Sequence, residues 1–141
     1  MSLTMRLMKA AMFKVSRSQH DFERTVQMIR ENALRVGWDV PWCFELQQHY
    51  REKGLSDMTK VVNLYLCNPQ GGYDIMKSDV YKPMAVMMPT AVSVYETSGG
   101  EVHVSRMNLG RMSSMFRGTV REALRGGGAK LEKALEEVVA G

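Results

Sequence analysis

The stretch NLYLCNPQGGYDIMKSD, residues 63–79, sets a cysteine at the end of an apolar run and a helix start directly after it. A thiol near a helix N-terminus feels the positive end of the helix dipole, which favours thiolate, the nucleophilic form. Cys67 is therefore a candidate redox or sulfur-handling thiol. Against that, free cysteine is among the most buried residue types. The dipole is worth about 0.3–1 kcal/mol at ordinary sites, whereas burying a charge shifts a pKa by up to about 3–5 units. On these magnitudes desolvation wins, and the expectation is a protonated, poorly accessible thiol. The other cysteine, Cys43, is far away in sequence and makes no C-x-x-C pair with it.

Other chemistries find less support. NPQGG lacks the Gly-Lys-Ser/Thr that closes a phosphate loop, and Pro69 removes one donor, so a helix cap and turn account for it better. His20, His49 and His103 do not pair at metal-ligand spacing. No G-x-S-x-G or H-E-x-x-H occurs. Met84, Met87, Met88, Met107, Met112 and Met115 offer soft sulfur of the kind that selects Cu(I), but methionine at strand and helix spacing is the usual filler of irregular cores. No metal and no cofactor is expected. Carboxylates are scattered, with no pair set for acid–base work. Arg106, Arg111, Arg117, Arg121 and Arg125 make the last third locally basic, which leaves weak nucleic-acid binding as a further alternative. Glu122, Glu132, Glu136 and Glu137 offset them, and no aromatic interleaving accompanies them.

One pocket is worth defining. Cys67, Asn68 and Pro69 form one wall, Met87, Met88 and Pro89 a second, and the face of strand 91–96, represented by Tyr95, a third. A cysteine, a helix N-terminus and a flexible methionine segment converge there, as ligand sites require. The leading expectation is a non-enzymatic, homodimeric module that binds a small ligand or a protein partner. Thiol chemistry at Cys67 is the alternative.

The elements that must position these residues follow from pattern. The chain has 141 residues, 45% apolar and 24% charged, which suits one soluble domain spanning 1–141. A net charge of +4 is too small a bias to indicate nucleic acid by itself. Two separated cysteines fit a reduced, cytoplasmic compartment, and no run is long enough to span a membrane. Thirteen methionines make the chain methionine-rich, consistent with a plastic core.

Residues 1–8 are expected to be a loosely ordered N-terminal segment, with a first strand at 9–16. Ser18 reads as the cap of a helix whose face is Phe22, Val26, Ile29, Ala33 and Val36, stopped by Gly37. Trp38, Val40, Trp42 and Phe44 alternate as a strand that Pro41 makes an edge or a bulge. A short helix to about Lys53 ends at Gly54. KVVNLYLC, 60–67, is so continuously apolar that a central strand covered on both faces is expected. Asn68 and Pro69 start a short helix. Residues 81–89 form an irregular connection, and 91–96 and 101–107 are strands joined by TSGG. Asn108 caps a helix that turns Met112, Met115 and Phe116 inward. Thr119 and Glu122 form a capping box, Gly126-Gly127-Gly128 a break, and 129–140 the C-terminal helix. Hairpin and edge signals favour an α+β domain, a curved antiparallel sheet packed on helices.

The stretches GWDVPWCFEL (37–46), LYLCNP (64–69), MMPTAVSVYE (87–96) and VSRMN (104–108) together resemble the bacterial and archaeal family named domain of unknown function 302. The resemblance implies a TATA-binding-protein-like arrangement of strand, helix, four strands and helix, here with small helical insertions, assembled as a homodimer. Fold kinship of that kind carries no DNA binding with it.

Overall fold

A computed structural model describes residues 1–140; Gly141, the last position of the expected domain, lies outside the described residues. Five strands form one antiparallel sheet in the order β1-β5-β4-β3-β2. They are β1 (Phe13–Arg17), β2 (Asp39–Glu45), β3 (Val61–Cys67), β4 (Thr90–Glu96) and β5 (Val102–Met107). The helices are α1 (Leu3–Met12), α2 (Phe22–Arg35), α3 (Leu46–Glu52), α4 (Pro69–Met76), α5 (Leu109–Ser113) and α6 (Gly118–Leu135), with a 3-10 helix at Lys82–Met87. The α+β expectation and the antiparallel sheet packed on helices hold.

Strand alternation sorts the sheet into two faces. Val62, Leu64 and Leu66 of β3 are buried, as are Val92 and Val94 of β4 and Val102 and Val104 of β5. Register aligns them, with Leu64 opposite Val92 and Val94 opposite Val104. Ile29 and Ala33 of α2 and Leu131 and Leu135 of α6 complete this core. The other face carries Val61, Asn63, Tyr65 and Cys67 of β3, all half-buried, so β3 is covered on one face and not on both.

Arg106 falls on the core face because its register demands it, and it is only 4% exposed. It donates through Nη2 and Nε to Glu132 Oε1 and Oε2 at 2.6 and 3.1 Å, and through Nη1 to Ser16 Oγ at 2.9 Å. Lys14 Nζ reaches the same carboxylate at 2.9 Å. Burial alone would raise the pKa of Glu132; hydrogen bonds from Arg106 and Lys14 outweigh it and hold the carboxyl below its ordinary value. Arg106 thus fastens α6 to the sheet and is withdrawn from any nucleic-acid surface.

Several local expectations are corrected. Residues 3–12 form a helix, in place of a loose segment followed by an early strand. LTMRLMKAAM consists almost wholly of strong helix formers, and Ser2 Oγ accepts from Met5 N at 3.2 Å to cap it. Asp21, not Ser18, caps α2, accepting from Arg24 N at 2.7 Å. Ser18 is buried instead, 2.6 Å from Thr25 Oγ1. A pairing irregularity between Asp39 and Trp42 marks a bulge on edge strand β2. It separates the two tryptophans, leaving Trp38 2% exposed and Trp42 55%. Met115 is exposed. The Thr119–Glu122 box does not form, because α6 starts at Gly118 without a side-chain cap.

The three glycines are no break. α6 runs through them, with Gly127 and Gly128 buried. A Cβ at Gly128 would lie 3.1 Å from Gly110 N and 3.2 Å from Leu109 Cβ, so glycine is what lets α6 approach α5 this closely. The helix ends at Leu135, short of the expected 140, and Val139 then bridges to Ser18.

An apolar cavity at the end of the sheet

Where β3 ends and β4 begins, the strands stop short of the helices beyond them and leave a cavity of about 320 Å³. That is near the lower end of the roughly 300–1,000 Å³ typical of ligand pockets. Leu66, Cys67, Thr90, Ala91 and Met107 supply the strand ends. Asn68, Gly71, Gly72 and Ile75 come from the start of α4. Met84, Met87, Met88 and Pro89 come from the 3-10 segment, and Leu124 and Gly127 from α6. The lining contains no Lys, Arg, His, Asp or Glu; its ionisable side chains are Tyr65 and Cys67.

Local sequence explains the α4 wall. Asn68 Oδ1 accepts from Gly71 N at 3.3 Å, and Pro69 occupies the first helical turn, where its missing N–H goes unused. Glycine at 71 leaves room for that cap, since a Cβ would sit 2.5 Å from Asn68 Nδ2 and push the side-chain amide aside.

Of the residues picked from sequence, Cys67, Asn68, Met87, Met88 and Pro89 meet in this wall. Pro69 is exposed and lies outside it. Tyr95 is also outside, beside His103 at a ring-centroid distance of 5.5 Å. It shares a sheet face with Ala91, which does line the cavity, but four residues of strand carry it roughly 13 Å away. Met84 and Met107 join the cavity, whereas Met112 and Met115 do not.

Cys67 is half-buried and faces the cavity, not sealed within a doubly covered strand. Cys43 pairs across from Leu64 on the helix-covered face, with Arg30 Nη2 2.9 Å from its sulfur. The two thiols therefore sit on opposite faces and three residues apart along the ladder, roughly 10 Å, beyond the reach of a disulfide. His20, His49 and His103 are dispersed, with His103 Nε2 3.0 Å from Glu101 Oε2. Among the described residues, no three His, Cys, Asp or Glu side chains gather as metal ligands.

Sequence reasoning missed Trp38 and Gly127. Trp38 lines the cavity, yet among the described residues its Nε1–H is the buried side-chain polar atom without a hydrogen-bond partner. A Cβ at Gly127 would meet Asn68 Nδ2 at 3.5 Å and Trp38 Cζ2 at 3.9 Å, so the side-chain amide and the indole border the same spot on α6. The available signal was the glycine run inside an otherwise helical pattern, which marks close approach as often as a break.

Among the described residues, no helix is long and apolar enough to cross a membrane. A family model described as domain of unknown function DUF302 matches residues 13–140, from the first residue of β1 onward. Among solved structures, the chain is similar to the crystal structure of an uncharacterized conserved protein DUF302 from Bacillus stearothermophilus. The TM-score is 0.76 over 89% of this chain and 96% of that one, at 20% identity, a likeness of fold. No curated protein matches the chain.

Proposed function

The chain belongs to the family described as domain of unknown function DUF302, and on that premise we propose that it is a non-enzymatic module that takes a small apolar ligand into the cavity at the end of the sheet. The observation that carries this is the cavity itself, about 320 Å³ with an uncharged wall in which methionines can repack around an occupant. Tyr65 and Cys67 are neighbours on one strand face, an arrangement suited to lining a wall and not to acid–base work across a substrate.

The test uses Cys67 as a reporter. In a Cys43→Ala chain, a saturating apolar probe such as ethylbenzene or acetophenone should slow thiol labelling of native Cys67 and raise the melting temperature. A probe at a hundred times its Kd stabilises by about 2.7 kcal/mol. Unchanged labelling and melting with both probes would remove the reading. The thiol alternative rests on the same wall, because Cys67 would touch whatever enters. Labelling of Cys67 faster in the native protein than in the unfolded chain would make it the reacting group instead.

A second copy is proposed on the uncovered sheet face. Phe13, Met107, Ala91, Tyr65 and Trp42 form one row across it, and Trp42 stacks on Tyr65 at 4.8 Å. Strand spacing and rise give the face roughly 500 Å², so two copies would bury about 1,000 Å², the threshold for a specific interface. A two-fold contact sets each patch against itself and tolerates no uncompensated charge. The charged residues on the face lie at its margins: Arg17, 3.1 Å from Glu101, at one end of β1, and Asp39, opposite Cys67, at the start of edge strand β2. Sedimentation at micromolar concentration should give a dimer that Trp42→Glu dissociates; a monomeric wild type would refute it.

A further inference from the structure

We propose that the ligand of this cavity is a neutral molecule with an apolar body and one hydrogen-bond acceptor, a carbonyl or ether oxygen, received by the Trp38 indole N–H. The inference rests on the cavity reading above and adds the ligand's chemistry. Trp38 is 98% buried by the complement of its 2% exposure, and its Nε1–H has no partner. An unmet buried donor is destabilising, and buried polar groups are almost always satisfied. The Trp38 ring lines the cavity, and its Cζ2 edge, next to the nitrogen, and the Asn68 side-chain amide both border Gly127; an occupant with an acceptor on that side of the ring would satisfy the donor. The indole nitrogen is itself buried, so on this proposal an acceptor reaches it only as a neighbouring cavity side chain moves aside. Methionine, unbranched and with three rotatable bonds, suits that movement.

Charge decides between neutral and anionic acceptors. A carboxylate in the cavity would find no Lys, Arg or His in the lining. The start of α4 offers only a dipole contribution within its first turn, and Asn68 already satisfies the Gly71 N–H there. Desolvating an unpaired carboxylate outweighs that contribution severalfold. A hydrocarbon has the opposite defect, since it fills the space and leaves the indole donor unmet.

Three probes of similar shape separate these cases: acetophenone, ethylbenzene and benzoate, titrated into the wild-type chain. Proton–nitrogen correlation NMR follows the indole N–H resonances, with Trp42→Phe assigning that of Trp38. Acetophenone is expected to bind about tenfold or more tighter than ethylbenzene and to move the Trp38 indole proton downfield. Ethylbenzene should bind without that shift, and benzoate no tighter than ethylbenzene. A folded Trp38→Phe variant should bind acetophenone and ethylbenzene alike. Should that variant fail to fold, the wild-type indole shift still decides the matter. Equal binding of acetophenone and ethylbenzene with an unmoved indole would overturn the acceptor assignment while leaving the cavity reading intact. Tightest binding by benzoate would overturn neutrality. Binding of none of the three would overturn the cavity reading itself, and this inference with it.

Discussion

The core beneath the sheet and the wall of the cavity adjoin, yet they are built from different side chains. Beneath the sheet, Ile29, Leu64, Leu66, Val92, Val94, Val104, Leu131 and Val138 are each at most 1% exposed. They are branched residues with few rotamers, which fix register and helix position. At the sheet's end a smaller cluster buries Ile75, Val120 and Leu124, and the partly buried Met76, Met84, Met88, Tyr81 and Phe116 pack against them. Branched side chains stand where the register must be unique, and unbranched, polarizable methionines gather around the cavity.

Matched deletions test that division. Leu64→Ala should lower unfolding free energy by about 2–5 kcal/mol. Met88→Ala, half-exposed at the cavity, should lower it by less than about 2 kcal/mol, because it enlarges an opening and creates no closed void. Denaturant titration of both decides, and equal losses would erase the distinction.

A smaller effect is expected at the Arg106–Glu132 fastener. Glu132→Gln should cost about 1.5–3 kcal/mol at neutral pH, the range for hydrogen bonds to charged groups. The native pKa of Glu132 is held below its ordinary value of 4.5. Its contribution is therefore fully present above that value and is lost as pH falls through the lower native one. The stability gap between wild type and variant should narrow on acidification below about pH 4.5. A gap that widened there would reverse the assignment.

The glycine run gives the finest comparison. Gly128→Ala, closed in by Gly110 N at 3.1 Å, should destabilise, by about 1–3 kcal/mol as overpacking does. Gly126→Ala, with nothing within 4 Å, should stabilise α6, by about 0.5–1 kcal/mol from helix propensity. Gly127→Ala meets only ordinary contacts, at 3.5 Å or more. It should keep much of the helical gain while narrowing the cavity, so acetophenone should bind it more weakly. Melting curves with and without acetophenone read all three.

Much of the fold was legible because its signals were local. The spacing of Phe22, Val26, Ile29 and Ala33 gave α2, TSGG gave the β4–β5 hairpin, and Asn68-Pro69 gave the start of α4. What was not legible depended on tertiary context. Val61 and Tyr65 are apolar on the uncovered face, so KVVNLYLC hid its own alternation and Cys67 read as sealed. Ala11, Phe13 and Val15 fitted a strand period, and nothing local said that the strand waits until Phe13. The bulge at β2 parted Trp38 from Trp42 and sent the former to the cavity, a shift of phase that alternation cannot reveal. In the candidate site, Cys67 and Asn68 meet Met87, Met88 and Pro89 because β3 ends where β4 begins, whereas Tyr95 lies four residues along β4 from Ala91 and outside the cavity.

β1 pairs with β5, and the end of β1 and the residues following it are bound to those just after α6: Gln19 N donates to Val138 O at 3.0 Å and Ala140 N to Arg17 O at 2.8 Å. The strands from β2 to β5 pair each with its successor, but β1 must wait for a partner synthesised most of a domain later. Closing a loop grows dearer by about 0.6 kcal/mol for each doubling of its length, and non-local pairing slows folding. The four-stranded meander is therefore the segment able to form early, and β1 with its seam to the C-terminal residues is the last to dock. Until then β5 offers an open edge, Val102–Met107, to any other strand in reach. The moment of greatest exposure to aggregation is written into the strand order itself.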